Sequence, residues 1–179
     1  MLQHIDLQLA RVADATAIAR MSRDLIEAGL DWSWTPARVA DHVRSRDSVV
    51  LVARAQCDVA GFAIMQFMQE IAHLNLFAVA RSRQRRGLGT RMLRWLEASA
   101  NVAGIATIQL EVRTGNRAGR AFYKSAGYEE AMLIPGYYRG RESALRMARF
   151  LRMNEELAGL IALRHDFVPG QTRSRIRGC

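Results

Sequence analysis

Arg83-Gln84-Arg85-Arg86-Gly87-Leu88-Gly89-Thr90 lies between an apolar run, Leu74 to Val79, and the segment Met92-Leu93-Arg94-Trp95-Leu96-Glu97. The run reads as a strand and the later segment as the opening of a helix. A strand that feeds a glycine turn and then a helix N-terminus is an anion site in outline. Gly87 and Gly89 lack a Cβ and tolerate positive φ. The first N–H groups of the helix have no partner within it and sit at the positive end of its dipole. A diphosphate suits such a site. Two diphosphate motifs are excluded, because the stretch lacks the Gly-Lys-Ser/Thr ending of a P-loop and the third glycine of a dinucleotide fingerprint.

Working outward, residues 5–10 read as a strand, 13–28 as a helix ending at Gly29, and Thr35-Pro36 as an N-cap and first helical position of a helix to about Arg46. Ser48–Ala55 and Ala60–Met68 form a hairpin around Gln56-Cys57-Asp58. Ala72–Val79 is the next strand, and a helix from about 88 to 102 follows the glycine turn. Thr107–Val112 is a strand, and Asn116–Ser125 a helix with Gly127 as its C′ residue. Tyr128–Tyr138 and Ser143–Phe150 complete the sheet. This order predicts one α/β domain with a mixed, mostly antiparallel sheet of about six or seven strands flanked by helices. Past Phe150, a short amphipathic helix around Leu157, Leu160 and Ile161 precedes a polar, basic tail from Pro169.

The chain has 179 residues and a net charge of +9, and all its basic residues except Lys124 are Arg. Such a charge attracts anionic ligands, acidic proteins or nucleic acid. The densest basic stretch, Arg81 to Arg94, coincides with the anion-binding turn. No recognition-helix or RNA-binding signature accompanies it, so a nucleic-acid partner is not expected. No stretch approaches the roughly 20 apolar residues of a membrane span, and the first residues show no secretory pattern. The chain therefore reads as cytoplasmic. Cys57 and Cys179 support no disulfide framework, and His4, His42, His73 and His165 lack ligand spacing, so no metal is expected.

Taken together, three segments resemble the GNAT acetyltransferase superfamily. Phe77-Ala78-Val79 with Gln84-Arg85-Arg86-Gly87-Leu88-Gly89 matches its Gln/Arg-x-x-Gly-x-Gly/Ala motif. Leu110-Glu111-Val112-Arg113 and Asn116 form the second segment. Ala121-Phe122-Tyr123-Lys124-Ser125-Ala126-Gly127-Tyr128 matches the Leu/Phe-Tyr-x-x-x-Gly-Phe/Tyr ending. The mutual spacing from 77 to 128 is kept without a gap, and the chain looks most similar to bacterial ribosomal-protein-alanine N-acetyltransferases.

The resemblance implies a GNAT-like fold over residues 1–151, an extension over 152–179, and acetyl-CoA as acetyl donor. The backbone of Phe77, Ala78 and Val79 would meet the pantetheine and acetyl group, with one N–H polarising the thioester carbonyl. Arg85, Arg86, Gly87, Leu88, Gly89 and Thr90 would wrap the diphosphate, and Asn116 would bond the pantetheine arm. The acceptor is a primary amine, such as a protein N-terminus on a ribosomal protein or a small-molecule amine. A non-catalytic acyl-CoA or nucleic-acid binding module is the reading from another class.

Chemistry adds two candidates. An ammonium must lose a proton before it attacks, and Glu111, near the C-terminal end of a central strand, is a candidate base. The leaving thiolate gains from a donor, and Tyr123 offers a phenol of pKa about 10. Read without the resemblance, Glu111 is a strand residue paired with Arg113 or Arg139, and Tyr123 a core aromatic. His73 reads as a strand-surface residue. Trp32 and Trp34 either cover the core or wall the acceptor groove. Glu129, Glu130 and Glu142 form a candidate acidic patch, and the segment before Gly140-Arg141-Glu142 looks shortened where the acceptor site is shaped.

Overall fold

The first core-forming rule visible in the structure is alternation along a strand that changes face part-way. β4 (Ile71–Val79) buries every second residue from Ala72 to Ala78. Ala72 and Leu74 join one core cluster, whereas Leu76 and Ala78 join the other. The cause is a bulge: Ile64 pairs with Leu76 but Met65 pairs with Leu74, leaving Asn75 as the extra residue. From Leu76 onward every side chain of β4 stands on the opposite side of the sheet from where unbroken pleating would put it.

The computed structural model describes residues 4–56 and 58–152. Seven strands form one sheet in the order β1-β2-β3-β4-β5-β7-β6. They are β1 (Ile5–Leu9), β2 (Ser48–Ala55), β3 (Asp58–Met68), β4, β5 (Thr107–Arg113), β6 (Glu129–Tyr138) and β7 (Glu142–Phe150). All neighbours are antiparallel except β4 and β5, which are parallel and pair only at Ile71–Thr107, Ala72–Ile108 and His73–Gln109. Beyond His73 the two strands part, and the parting begins next to the bulge. The mixed, mostly antiparallel sheet expected from the sequence is present.

Helices α1 (Ala15–Leu25) and α2 (Pro36–Arg44) cover one face, and α3 (Leu88–Val102) and α4 (Arg117–Ser125) the other. The expected first helix is shorter than 13–28, because residues 12–14 form a separate 3-10 turn and the α-helix stops at Leu25. Thr35 does cap α2, its hydroxyl accepting from the Arg38 N–H at 3.3 Å. α3 buries Leu88, Met92, Leu93, Leu96 and Ala100, a stripe at helical spacing. The helix expected around Leu157, the tail from Pro169, Cys57 and Cys179 lie outside the described residues.

α3 packs close to the sheet at Gly61 of β3. A Cβ there would stand 2.9 Å from Met92 Sδ and 3.0 Å from the Ala78 carbonyl oxygen. Gly61→Ala is therefore expected to destabilise the protein by about 1–3 kcal/mol through overpacking. A denaturant titration reads this directly, and an unchanged midpoint would contradict the packing described.

Candidate active site

Between the parted ends of β4 and β5 lies a cleft of about 930 Å³, near the top of the range of about 300–1,000 Å³ common for ligand sites. Phe77, Ala78, Val79, Arg85, Gly87, Gly89, Thr90, Glu111, Asn116 and Tyr123 all line it. Thus ten of the twelve residues singled out from the sequence meet in one place. Arg86 is exposed outside the cleft lining, and the Leu88 side chain is buried in the core beneath α3. Only the backbone of Leu88 stands at the helix entrance.

The glycine turn is shaped as its residues require. Arg85 and Gly87 both adopt positive φ, +60° and +79°, and Gly87 is the N-cap of α3. The Gln84 amide donates to the Val79 carbonyl at 2.9 Å and ties the turn back to β4. Ala80 N–H bonds Ala60 of β3. Since backbone groups alternate in direction along a strand, the N–H groups of Phe77 and Val79 face the gap toward β5. They have no strand partner there.

α4 positions the second wall. The Asn116 carbonyl oxygen accepts from Gly119 N–H at 2.9 Å and caps the helix, an engagement that occupies the oxygen and not the amide N–H2. Gly119 is required for this, because a Cβ would come within 2.7 Å of the Asn116 amide. One turn on, Tyr123 is held edge-on by Phe122 (5.2 Å), Tyr128 (5.6 Å) and Phe77 (6.3 Å). Burial, with a smaller push from Tyr138, raises the Tyr123 phenol far above its ordinary value. It stays protonated, and so a donor, at any working pH.

Glu111 is where the structure corrects the sequence reading most. Arg113 pairs with Glu142 (3.3 Å) and Arg139 with Asp31 (2.8 Å), so neither expected partner holds Glu111. Its Oε1 accepts instead from Arg146 Nε at 2.7 Å, the residue directly opposite on β7. Its Oε2 lies 2.6 Å from His73 Nε2 and accepts from the Tyr137 hydroxyl at 3.4 Å. The carboxylate side chain is only 4% exposed. Burial pushes the Glu111 carboxyl up, but the hydrogen bonds from His73 and Arg146 outweigh it and hold the group below the usual carboxylate range. His73 is accordingly a half-buried partner of Glu111 and not a strand-surface residue.

The part of the cleft lined by Ile26, Arg113 and Tyr138 is tied down by contacts that sequence spacing did not reveal. Arg113 donates to the Ile26 carbonyl at 2.7 Å and lies 5.3 Å from the Tyr138 ring. Glu27, just past α1, is buried and accepts from Ser22 Oγ, Ser33 N and Oγ, and Trp34 N. The one sequence signal was a carboxylate at a helix C-terminus, where the dipole disfavours it. Trp34 is core, with the Arg38 guanidinium 4.0 Å over its ring, whereas Trp32 is exposed beside Arg23. Neither tryptophan lines the cleft. Glu27→Ala is expected to cost about 2–4 kcal/mol by leaving those donors unmet, seen as a lowered thermal midpoint.

The supposed acidic patch does not form. Glu130 pairs with Arg120 and Lys124, both near 2.8–2.9 Å, and Glu142 with Arg113. Glu129 and Glu142 sit at opposite ends of the β6–β7 pairing. β6 bulges before Gly140, with three of its residues standing between the Ile134–Ala144 and Tyr138–Glu142 pairs where β7 has one. That bulge carries Tyr137 to Glu111.

The cleft thus joins a sheet parted between two parallel strands, a glycine-capped helix at one lip and a buried carboxylate at the other. The acetyltransferase (GNAT) family model matches residues 18–128, and the chain belongs to that family. Over 93 residues it is 42% identical to the ribosomal protein bS18-alanine N-acetyltransferase of Escherichia coli strain K12. That match covers 50% of this chain and 63% of the relative, so the chain spans less than two thirds of that curated relative's length. The crystal structure of the corresponding Escherichia coli enzyme superposes with a TM-score of 0.74 at 28% identity, covering 84% of this chain and 96% of that one. The PaiA N-acetyltransferase of Thermoplasma acidophilum, solved in complex with coenzyme A, shares the fold at a TM-score of 0.67 and 19% identity, covering 80% and 98%. No helix among the described residues is long and apolar enough to cross a membrane, and no group of His, Cys, Asp and Glu among them could hold a metal ion.

Proposed function

We propose that this protein is an N-acetyltransferase that moves the acetyl group of acetyl-CoA directly to the single ammonium of a peptide or protein N-terminus, within a domain spanning residues 1–151. The observation that carries the acceptor class is charge matching. Both acids that line the cleft, Glu111 and Glu142, are already paired with cations, and Asp31, outside the lining, is paired with Arg139. A polyamine or aminoglycoside needs unpaired carboxylates for its further ammonium groups, and the described cleft offers none. The net charge of +9 further favours acceptors whose neighbouring residues are neutral or acidic.

The cleft fits the donor. Gly89 leaves ordinary contact distance to Phe122, and Gly87 opens on free space, so the helix entrance is uncluttered for a diphosphate. Arg85, Gly87, Gly89 and Thr90, with the backbone of Leu88 and the nearby Arg86, would hold that group, and the Asn116 amide N–H2 the pantetheine arm. When bound, acetyl-CoA supplies an acetyl group activated as a thioester. The Phe77 and Val79 N–H groups offer a fixed donor pair to a carbonyl in the gap. Glu111 draws the proton from the amine, and Tyr123 presents its phenolic proton to the departing sulfur. On this reading residues 152–179 are a C-terminal extension of the domain, and the cytoplasm is the compartment in which the protein works.

Coenzyme A release with a panel of acceptors tests the reading. N-terminal peptides with neutral or acidic second and third residues should outpace basic peptides, spermidine and an aminoglycoside. Preferential turnover of a polycation would overturn the acceptor class, and no release with any amine would overturn the activity.

A further inference from the structure

Glu111 cannot be considered apart from what it touches. Its Oε1 is taken by Arg146 and its Oε2 by His73, with Tyr137 at longer range. A carboxylate oxygen and an imidazole nitrogen 2.6 Å apart share a proton at rest, and once it is lost the two facing lone pairs repel, which disposes the pair to take a proton up again. His73 Nδ1 is also committed, 2.8 Å from Asn75 Oδ1. As an acceptor, that oxygen fixes a proton on Nδ1 and so turns the other ring nitrogen toward Glu111. The titratable and charged groups around the ring are therefore Glu111 on β5, Arg146 on β7 and Tyr137 on β6.

The placement is not incidental. His73 occupies the last paired rung of β4 with β5, and Asn75 is the bulge residue at which the strands part. The bulge that opens the cleft also puts the Asn75 amide beside the His73 ring. His73 is absent from the cleft lining and stands behind Glu111, with its side chain 18% exposed to solvent.

We propose that His73, oriented by Asn75, is a positioning residue that sets the protonation state of Glu111, so that turnover requires the His73–Glu111 pair to have given up its shared proton. With that proton gone, the Glu111 carboxylate keeps Arg146 on Oε1 while its Oε2 faces the bare Nε2 lone pair of His73, and it can draw a proton from the acceptor ammonium. The N–H bond breaks, its electron pair stays on nitrogen, and the proton arrives on Glu111 Oε2, where His73 Nε2 shares it. At the end of the cycle the pair returns this proton to water through the exposed edge of the ring. One proton enters and one leaves, and no oxidant or reductant is involved. The hydrogen bond to Glu111 raises the affinity of His73 for its proton, against an opposing effect of burial, with Asn75 adding to the rise. The acid limb of kcat therefore belongs above the ordinary imidazole value of about 6.5.

This inference rests on the acetyl-transfer reading, and the test keeps the two apart. The full chain and two variants, His73→Gln and Asn75→Ala, are assayed for kcat against pH at saturating acetyl-CoA, using two peptides whose amines differ in pKa. Glutamine keeps a donor to Glu111 but does not titrate. His73→Gln should lower kcat about tenfold, leave the KM for acetyl-CoA unchanged, and abolish a limb that does not move between peptides. Asn75→Ala should shift that limb to lower pH. The imidazole proton of His73, followed by NMR without any substrate, should titrate at the same midpoint and fall in Glu111→Gln. Turnover with a pH profile identical in wild type and His73→Gln would overturn the inference and leave the activity standing. A His73 midpoint at the ordinary value, unmoved by Glu111→Gln, would overturn it independently of any assay. Absence of coenzyme A release would instead refute the activity itself.

Discussion

Glu111→Gln is expected to lower kcat by about 10²- to 10³-fold, within the range of a lost acid–base group, while the KM for acetyl-CoA stays within about twofold. The glutamine oxygen can still accept from Arg146, so the strand pairing survives. What disappears is the negative charge between a guanidinium and an imidazole. The residual cost to folding is expected at about 1–3 kcal/mol, as for other buried groups left half-satisfied. Steady-state kinetics alongside a melting curve separate the two effects. A variant that melts normally and turns over normally would remove Glu111 from the chemistry and leave it as a strand pair.

Tyr123→Phe should cost about 10- to 10²-fold in kcat with almost no change in stability. The ring is held by Phe77, Phe122 and Tyr128, and phenylalanine preserves every one of those contacts. Only the phenolic proton is lost. Because burial keeps the phenol protonated well into the alkaline range, the wild type should show no basic limb from Tyr123 at any pH where the fold persists. Its loss should therefore scale kcat evenly at all pH values, unlike the effect expected at His73. A Tyr123→Phe enzyme with full kcat would assign the proton of the departing thiol to water.

Much of the fold was legible because local rules set it. α3 begins at Leu88 and ends at Val102, as the glycine turn and the apolar stripe require. β5 alternates without a break, so Glu111 was assignable to the face opposite Leu110 and Val112. The partners of Glu111 were not legible. Arg146 and His73 are 35 and 38 positions away, and which residue faces which depends on β5–β7 and β4–β5 register. Nearer arginines, Arg113 and Arg139, were the natural guesses and proved to serve other carboxylates. The bulge at Asn75 was hidden for a different reason. Burial continues to alternate straight through it, so the sequence pattern carries no trace of the change of face. Glu27 was missed because its donors come from a loop without periodicity.

The change of face on β4 also has a kinetic consequence. Before Asn75 the buried side chains of β4 look toward α3, and after it Leu76 and Ala78 look toward α1 and α2, which leaves Phe77 facing α4. On the proposed reading the sheet is a partition, with the donor on one side, the amine on the other, and the gap between β4 and β5 as the window between them. Neither molecule lies in the path of the other, so both can be resident together and each can leave first. Such an enzyme has intersecting double-reciprocal plots and no obligatory order of binding, and its best inhibitor would be one molecule long enough to pass through the window and occupy both sides.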